Sequence, residues 1–535
     1  MNKFTLISLS VAGGILSGLA WTSWFTGLIL LFAFTPFLII EDHIFRNKKR
    51  YPPEAYFIYI LPGFVIFNIV ALGWIRAVSM ISALSVIAGM SFLMAFIMWS
   101  AHIVRIKAGN LTGIVAFVAF WLALEYFTLN SVYLTPWINL GNGLAKDTGF
   151  IQWYEVTGTA GGTLWVLSSN LLLALIILNK PHHNKHYKIF PVLWLLLIFI
   201  PSFISLTIFY TIQQPVSDRS EVLIIQPNID PYSEKYSMPF TDQLSKVLSL
   251  AGEVITDSTS WVLTPETTVD DPADENDMDN NKYIGQIREF GIKNPGAAIV
   301  AGLVTFRSYA EQQDNLNLQA GIRRNFYEHF NSAVQIDSGK VTGIYNKSKL
   351  VPGVEMQFSA GLGKFINKII PELGGTKWGY GVQKERECFT HPGTGQIVAP
   401  IICYESVYGN FVADYVRQGA EALFIITNDG WWVNTSGYMQ HLWYASLRAI
   451  ETRRPVARAA NTGISAIIDI RGKRISETGW WEETTLTGEI FSGNSITPYV
   501  RYGDYLMKIS AAVSLLVLLY VFIALPLKSK EGIKQ

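Results

Sequence analysis

The sequence predicts an α/β domain set into a polytopic bundle of membrane-spanning α-helices. Three observations carry this expectation. Half of the 535 residues are hydrophobic and only 16% are charged, with a positive mean hydropathy. That balance suits a membrane protein with a water-facing part. Apolar stretches long enough to cross a bilayer crowd the chain before residue 213 and recur once near its end. Between them, short β-rich runs alternate with helical patterns.

A helix needs about 20 mostly apolar residues, or about 17 at the short end, to span hydrocarbon. Seven stretches qualify early in the chain: roughly 4–20, 24–40, 54–74, 79–101, 111–127, 162–179 and 189–212, and an eighth lies at 506–527. The expected organisation is a membrane domain over 1–212 with seven spans, a water-facing domain over 213–505, and an eighth span with its tail over 506–535.

Basic residues set the expected orientation, because short cytoplasmic loops concentrate Lys and Arg. With a cytoplasmic amino terminus, the inner segments hold Lys3, then Arg46, Lys48, Lys49 and Arg50, then Arg105 and Lys107, then Lys180, Lys185 and Lys188, and finally Lys528, Lys530 and Lys534. The outer short loops carry only Arg76 and Lys146. Both termini are then cytoplasmic and the large interval lies on the outer face. One outer stretch, 131–162, is too polar and glycine-rich to span. Its Trp137, Trp153 and Tyr154 are residue types that favour the headgroup level, so it is expected to lie on the membrane. Glu125 and Asn170 are polar residues in apolar helices, which makes them functional candidates by default. Glu125 sits near a helix end, where it is expected to reach water and to position the outer loops.

In the large interval the β-rich runs are "EVLIIQPN", "SWVLTPET", "AAIVAGLVTF", "SAVQIDSGKVTGIYN", "APIICYES", "ALFIITND" and "SAIIDIRGKRI". The helical patterns include "SVYGNFVADYVRQGA" and "MQHLWYASLRAIETRR". Such alternation predicts central strands buried on both faces. The net charge of +1 supplies no field for a nucleic-acid partner. Cys388 and Cys403 are too few for a disulfide framework, and no Cys/His spacing suits a metal. The acidic run "DDPADENDMDNN" reads as a solvated loop, so neither metal nor cofactor is expected.

Ligands of open α/β sheets gather at the carboxyl ends of strands. Three such ends carry reactive groups: Glu266 after "WVLTP", Lys347 after "GIYN" and Cys403 after "PII". A thiol is mostly protonated near neutral pH and needs a base to become nucleophilic, which Glu266 can supply. Lys347 and the backbone N–H of Tyr404 can stabilise an oxyanion, and a helix starting near Ser406 adds its positive end. Each residue also has an ordinary reading: the cysteine as packing, Glu266 as a solvated turn acid, Lys347 as surface charge, and Glu355 and Glu405 as salt-bridge partners. The indoles of Trp431 and Trp432 serve equally well as core or surface aromatics.

The order of these residues changes the weighing. Glu after a strand, "NKSKLVPGVE", "ICYES" and then "NDGWWVNTSGYMQHLWYASLRAIETRRPVARAANTGISAIID" resemble the nitrilase superfamily and its Glu-Lys-Cys triad. With seven expected spans before that domain and one after, and with "QWYEVTGTAGGTLWVLSSN" in the membrane part, the chain resembles the apolipoprotein N-acyltransferases over essentially its whole length. The resemblance implies an αββα sandwich with Glu266 as general base, Lys347 as oxyanion stabiliser and Cys403 as acyl-accepting nucleophile. Glu355 falls on the family's second glutamate, Tyr404 and Glu405 on the pair after the cysteine, and Trp431 near the site entrance. Two departures stand out: Gly353 and Val354 replace the usual Phe-Gly before the second glutamate, and Tyr236 is the nearest aromatic where the family often has a tryptophan.

The implied activity transfers a fatty acyl group from a membrane phospholipid to the α-amine of a lipoprotein's diacylglyceryl-cysteine, by way of a Cys403 thioester, at a bacterial inner membrane with the catalytic domain in the periplasm. A membrane-tethered amidase acting on small C–N substrates shares the triad. A transporter with an outer binding domain is the alternative from a different class.

Overall fold

The computed structural model describes residues 1–178, 188–213, 219–309, 319–320, 326–356 and 379–526. Lys180, Lys185, Lys528, Lys530 and Lys534 lie outside the described residues. The chain divides into two compact units. One comprises Met1–Arg76, Met80–Thr211 and Tyr502–Gln535, the other Ala77–Ser79 and Ile212–Arg501.

In the helical unit, seven helices among the described residues are long and apolar enough to cross a membrane: Gly27–Arg46, Glu54–Ala77, Met80–Ala108, Asn110–Asn130, Thr159–Leu178, Ile189–Thr211 and Tyr505–Ala524. An eighth apolar helix, Lys3–Leu19, has 17 residues, the short end of spanning lengths. It packs closely on Glu54–Leu72 because glycines meet there: a Cβ on Gly14 would sit 2.1 Å from the Gly63 carbonyl oxygen. Ser10 Oγ accepts the Gly63 N–H at 2.9 Å in the same contact.

Asn170 has a structural task at a helix break. The Gly27–Arg46 span is broken at Phe34, between Leu30–Ala33 and Thr35–Arg46. Asn170 Oδ1 accepts the N–H groups of Phe34 and Thr35, each at 2.8 Å, and its Nδ2 donates to the Leu30 carbonyl at 2.7 Å. Backbone groups freed by a helix break in an apolar setting need such partners.

Glu125 does position the adjoining segment, yet it does not reach water: it is 3% exposed. Its oxygens accept from Leu140 N–H at 2.7 Å, Thr163 Oγ1 at 2.7 Å and Trp121 Nε1 at 3.2 Å. The stretch 131–162 folds into the helical unit through short helical turns at Leu140–Leu144, Thr148–Phe150 and Tyr154–Thr157. Trp137 and Tyr154 are buried there, Tyr154 donating to the Gly141 carbonyl at 3.0 Å, while Trp153 is half-buried.

The second unit holds two sheets. The first runs in the order Thr484–Phe491, Arg219–Gln226, Thr259–Leu263, Ala298–Tyr309, Phe326–Asp337 and Gln319–Ala320. Val269–Asp274 pairs with Ala298–Tyr309, and Lys340–Asn346 with Phe326–Asp337. The second runs Arg474–Glu477, Ala466–Ile468, Val456–Ala460, Ala422–Thr427, Ile397–Ile402 and Phe389–Thr390.

Each sheet has a parallel heart: Arg219–Gln226 with Thr259–Leu263 and Ala298–Tyr309, and Ile397–Ile402 with Ala422–Thr427 and Val456–Ala460. Ala422–Thr427 is buried at all six positions, as a central parallel strand covered on both faces requires. On one face of the first sheet, Leu223, Ile225, Val262, Ile299 and Val334 form a core with Leu244 and Val247 of the helix Phe240–Val254 and with Ile284 and Ile287 of the helix Lys282–Lys293. Trp261 of the first sheet stands edge-on to Phe424 of the second, 5.1 Å between ring centroids, and donates Nε1–H to Gln396 at 2.8 Å.

Candidate active site

Glu266 follows the strand Thr259–Leu263 in a tight turn. Thr264 N–H donates to Val300 O at 3.0 Å, Thr268 N–H to Gly302 O at 2.8 Å, and Thr268 Oγ1 to Pro265 O at 2.8 Å. This turn lies so close to the neighbouring strand that a Cβ on Gly302 would come within 2.2 Å of the Pro265 oxygen, so only glycine fits there. Lys347 follows Lys340–Asn346, its N–H donating to Asn331 O at 2.8 Å. Cys403 follows Ile397–Ile402 and turns sharply at φ +50°.

The three side chains converge. Lys347 Nζ donates to Glu266 Oε1 at 2.8 Å and to Glu355 Oε1 at 2.7 Å, while the Cys403 thiol hydrogen-bonds the Glu266 carboxylate. Lys347 is fully buried, and Glu266, Cys403 and Glu355 are 7%, 7% and 8% exposed. Glu355 is aimed by the turn Val351–Glu355, where Val351 N–H donates to its Oε2 at 2.8 Å. Gly353 occupies the left-handed region at φ +77°, which glycine adopts without the cost a Cβ would bring. Asn331 completes the cluster, with Nδ2 donating to Glu266 Oε1 at 2.7 Å and to Glu355 Oε1 at 3.2 Å. Asn331 stands just before the β-rich run that begins at Ser332 in the sequence, whereas the strand itself starts at Phe326 and so carries Asn331 into the site.

One ammonium faces two carboxylates, and that charge count sets the proton positions. Burial pushes the Glu266 carboxyl up, but the Lys347 ammonium, with bonds from Asn331 and Cys403, holds it below the usual carboxylate range. Burial also works against the Lys347 cation, and the two glutamates outweigh it, holding Lys347 well above the ordinary lysine value. Burial and then the Glu266 charge push the Cys403 thiol well up, against the pull of Lys347. The resting site is therefore a neutral thiol bonded to an ionised carboxylate, with an ammonium alongside. The carboxylate can take the thiol proton as sulfur attacks a carbonyl, and the ammonium can meet the charge that develops.

The remaining candidates sort by contact. Among the described residues Glu405 forms no salt bridge, so its ordinary reading does not hold. Fully buried, it accepts from Tyr345 Oη at 2.7 Å, Ser348 N–H at 2.6 Å, Lys349 N–H at 3.3 Å and Ile402 N–H at 2.8 Å, tying the Lys347 loop to the cysteine turn. The buried Tyr404 ring stands edge-on to Tyr408, centroids 5.3 Å apart. The expected helix near Ser406 is one turn of 3-10 helix, Cys403–Val407, and the α-helix starts at Gly409. Trp431 is half-buried, its carbonyl accepting from Tyr232 Oη at 2.6 Å with the rings edge-on at 5.4 Å. Tyr236 is exposed and hydrogen-bonds Asp270, so Tyr232 is the loop aromatic that meets the indole. Cys388 lies apart from the cluster, its thiol pushed up to about 11 by burial.

Known proteins bear on this arrangement. Residues 294–495 match the family model described as carbon-nitrogen hydrolase, and residues 13–172 match the apolipoprotein N-acyltransferase N-terminal domain. The apolipoprotein N-acyltransferase of Chlorobaculum tepidum is 25% identical over 95% of this chain and 94% of its own. That of Geobacter metallireducens is 28% identical over 93% and 90%.

The chain belongs to the apolipoprotein N-acyltransferase family. It is a multi-pass membrane protein and an N-acyltransferase, with a nitrilase-like fold in its C-terminal region. Among solved structures, Saccharomyces cerevisiae Nit3, a member of the nitrilase superfamily, aligns with a TM-score of 0.37 at 15% identity, covering 56% of this chain and 96% of its own. An E41Q mutant of the amidase from Nesterenkonia sp. AN1 gives the same TM-score and identity over 56% and 99%.

Proposed function

We propose that this enzyme acylates the α-amine of a lipoprotein's amino-terminal diacylglyceryl-cysteine with a chain taken from a membrane phospholipid, through a thioester on Cys403. The observation that carries the reading is the buried meeting of Cys403, Glu266 and Lys347 in a chain whose apolar helices match the family's membrane domain. In this reading the second unit is an αββα sandwich in the periplasm of an inner-membrane protein with cytoplasmic termini, and the helical bundle forms the domains 1–212 and 506–535.

In the first step Glu266 takes the thiol proton as Cys403 Sγ attacks an ester carbonyl of the phospholipid. The oxyanion forms beside Lys347 Nζ and the Tyr404 N–H. Collapse breaks the ester C–O bond, and the Glu266 proton goes to the departing glycerol oxygen, releasing a lysophospholipid. In the second step the lipoprotein amine attacks the thioester, its proton passes to Glu266, and the amide forms as sulfur leaves and is reprotonated. Glu355 and Asn331 keep Lys347 and Glu266 in register. Trp431 with Tyr232, and Tyr236 nearby, line the approach of the acyl chain.

A membrane-embedded enzyme suits both substrates. Moving acyl chains into water costs about 0.8 kcal/mol per CH₂, which lateral entry avoids. The deciding experiment mixes enzyme with phospholipid labelled in its acyl chain and follows intact mass. One acyl group on wild type, absent from Cys403→Ser and discharged by a diacylglyceryl-cysteine peptide, is expected. An unlabelled enzyme that rapidly hydrolyses small amides overturns the proposal in favour of an amidase.

A further inference from the structure

We propose that His441 is a positioning residue for the nucleophile, holding the backbone of Cys403 in the turn that presents its sulfur to Glu266. The inference rests on Cys403 as acyl acceptor and Glu266 as its base. Cys403 occupies the left-handed region at φ +50°, which residues with a Cβ adopt only where their surroundings impose it. The surroundings here converge on one atom, the Cys403 carbonyl oxygen. Ser406 Oγ donates to it at 2.8 Å, and His441 Nε2 approaches it at 3.1 Å and Ser406 Oγ at 2.9 Å.

His441 is itself fixed from behind. Its Nδ1 lies 3.0 Å from Asp429 Oδ1, which also accepts from Thr427 Oγ1 at 2.8 Å. Asp429 Oδ2 pairs with Arg458, whose side chain reaches on to the Ile464 carbonyl. Asp429, His441 and Arg458 are all fully buried. They come from three elements: the turn after Ala422–Thr427, the helix Ser436–Thr452 and the strand Val456–Ala460. Trp432 closes the far side, edge-on to the imidazole at 5.4 Å. Both oxygens that face the ring are acceptors, so Nδ1–H donates to Asp429 and Nε2–H donates to the Cys403 carbonyl together only when the ring carries a proton on each nitrogen, a cation beside the Asp429 carboxylate.

The residue before Asp429 links this chain of bonds to the base. Asn428 N–H donates to Glu266 Oε2 at 3.1 Å. A single two-residue stretch therefore registers both reacting groups, the base directly through Asn428 and the sulfur through Asp429, His441 and the Cys403 carbonyl. Small misplacements of such groups carry large rate costs.

The test uses full-length protein in lipid nanodiscs, carrying Cys388→Ser so that one thiol remains. Two rates are measured per folded molecule: alkylation of Cys403 by iodoacetamide, and acyl transfer from labelled phospholipid. In His441→Leu both rates are expected to fall at least 100-fold, with KM for phospholipid within about threefold of wild type. His441→Gln, whose amide N–H can reach the same carbonyl, is expected to recover at least tenfold of each. A His441→Leu protein that melts earlier but alkylates at the wild-type rate overturns the proposal, as does acyl transfer lost with alkylation unchanged. Should His441→Leu not fold, Ser406→Ala removes one donor from the same carbonyl. It is expected to slow both rates three- to tenfold, and unchanged rates overturn the inference. Because alkylation needs no lipid, failure of the phospholipid reading leaves this test standing on its own.

Discussion

Replacing Lys347 with methionine probes the charge balance of the site directly. The variant keeps the length and apolar body of the side chain and removes the ammonium that two carboxylates share. The two Oε1 atoms lie 2.8 and 2.7 Å from one Nζ, and so no more than about 5.5 Å from each other. At an effective dielectric near 20, two unit charges at that separation repel by roughly 3 kcal/mol, about 2 pKa units for the pair. Added to burial, which already pushes the Glu266 carboxyl up, this repulsion keeps one proton on the pair into the neutral range, and Glu266 moves from below the carboxylate range to above it. Its sign as a base is reversed, since it arrives at the reaction already protonated. Loss of an oxyanion donor alone costs about 10²–10³ in rate, and the combined loss is expected to be roughly 10³ or more. The assay is single-turnover thioester formation with labelled phospholipid across pH 5 to 9. Wild type should hold its rate down to the acid end, whereas the residual rate of Lys347→Met should rise with pH through the neutral range. A variant within tenfold of wild type, or one whose pH profile does not move, would refute the charge argument.

Glu266→Gln, which cannot accept the thiol proton, should slow thioester formation by about 10²–10⁴ while leaving phospholipid binding intact; wild-type single-turnover kinetics would contradict the assignment. Cys388→Ser should leave acyl labelling within about twofold of wild type, because burial keeps that thiol protonated with its pKa near 11 and it lies outside the cluster; mass spectrometry of the labelled protein decides. Asn170→Leu should lower stability by roughly 2–4 kcal/mol, since it leaves Phe34 N–H, Thr35 N–H and the Leu30 carbonyl without their partner; thermal unfolding in detergent measures it. Asp429, held below its ordinary pKa against burial by Arg458 and His441, contributes stability that is present above the usual carboxylate range and is lost as pH falls through its lowered value. The melting temperature should therefore drop steeply below about pH 4, and Asp429→Asn should flatten that dependence.

Much of this molecule was legible as pattern. Apolar length marked the helices because hydrocarbon admits only backbones that satisfy themselves, and the seven helices long enough to span among the described residues, with the shorter Lys3–Leu19, fall on the apolar stretches of the sequence. Strand ends marked Glu266, Lys347 and Cys403, since reactive groups need an edge to stand on. Where local and global preference disagreed, pattern failed. "VARAA" carries good helix formers, yet Val456–Ala460 is a central strand, fully buried because its neighbours leave it no other place. Asn170 looked functional because polarity in an apolar helix is costly, and the cost is met by backbone groups 135 residues away in sequence.

The sequence by itself determined which chemically capable side chains stand at strand ends and where the chain is apolar, since both are properties of residues and their spacing along one dimension. Only the tertiary structure decided the charge count around Lys347, the hydrogen bonds that make Glu405 a brace, and the Asp429–His441 chain behind Cys403. Those are sums over groups that meet from distant segments, and burial multiplies their effect by removing the water that would otherwise screen each one.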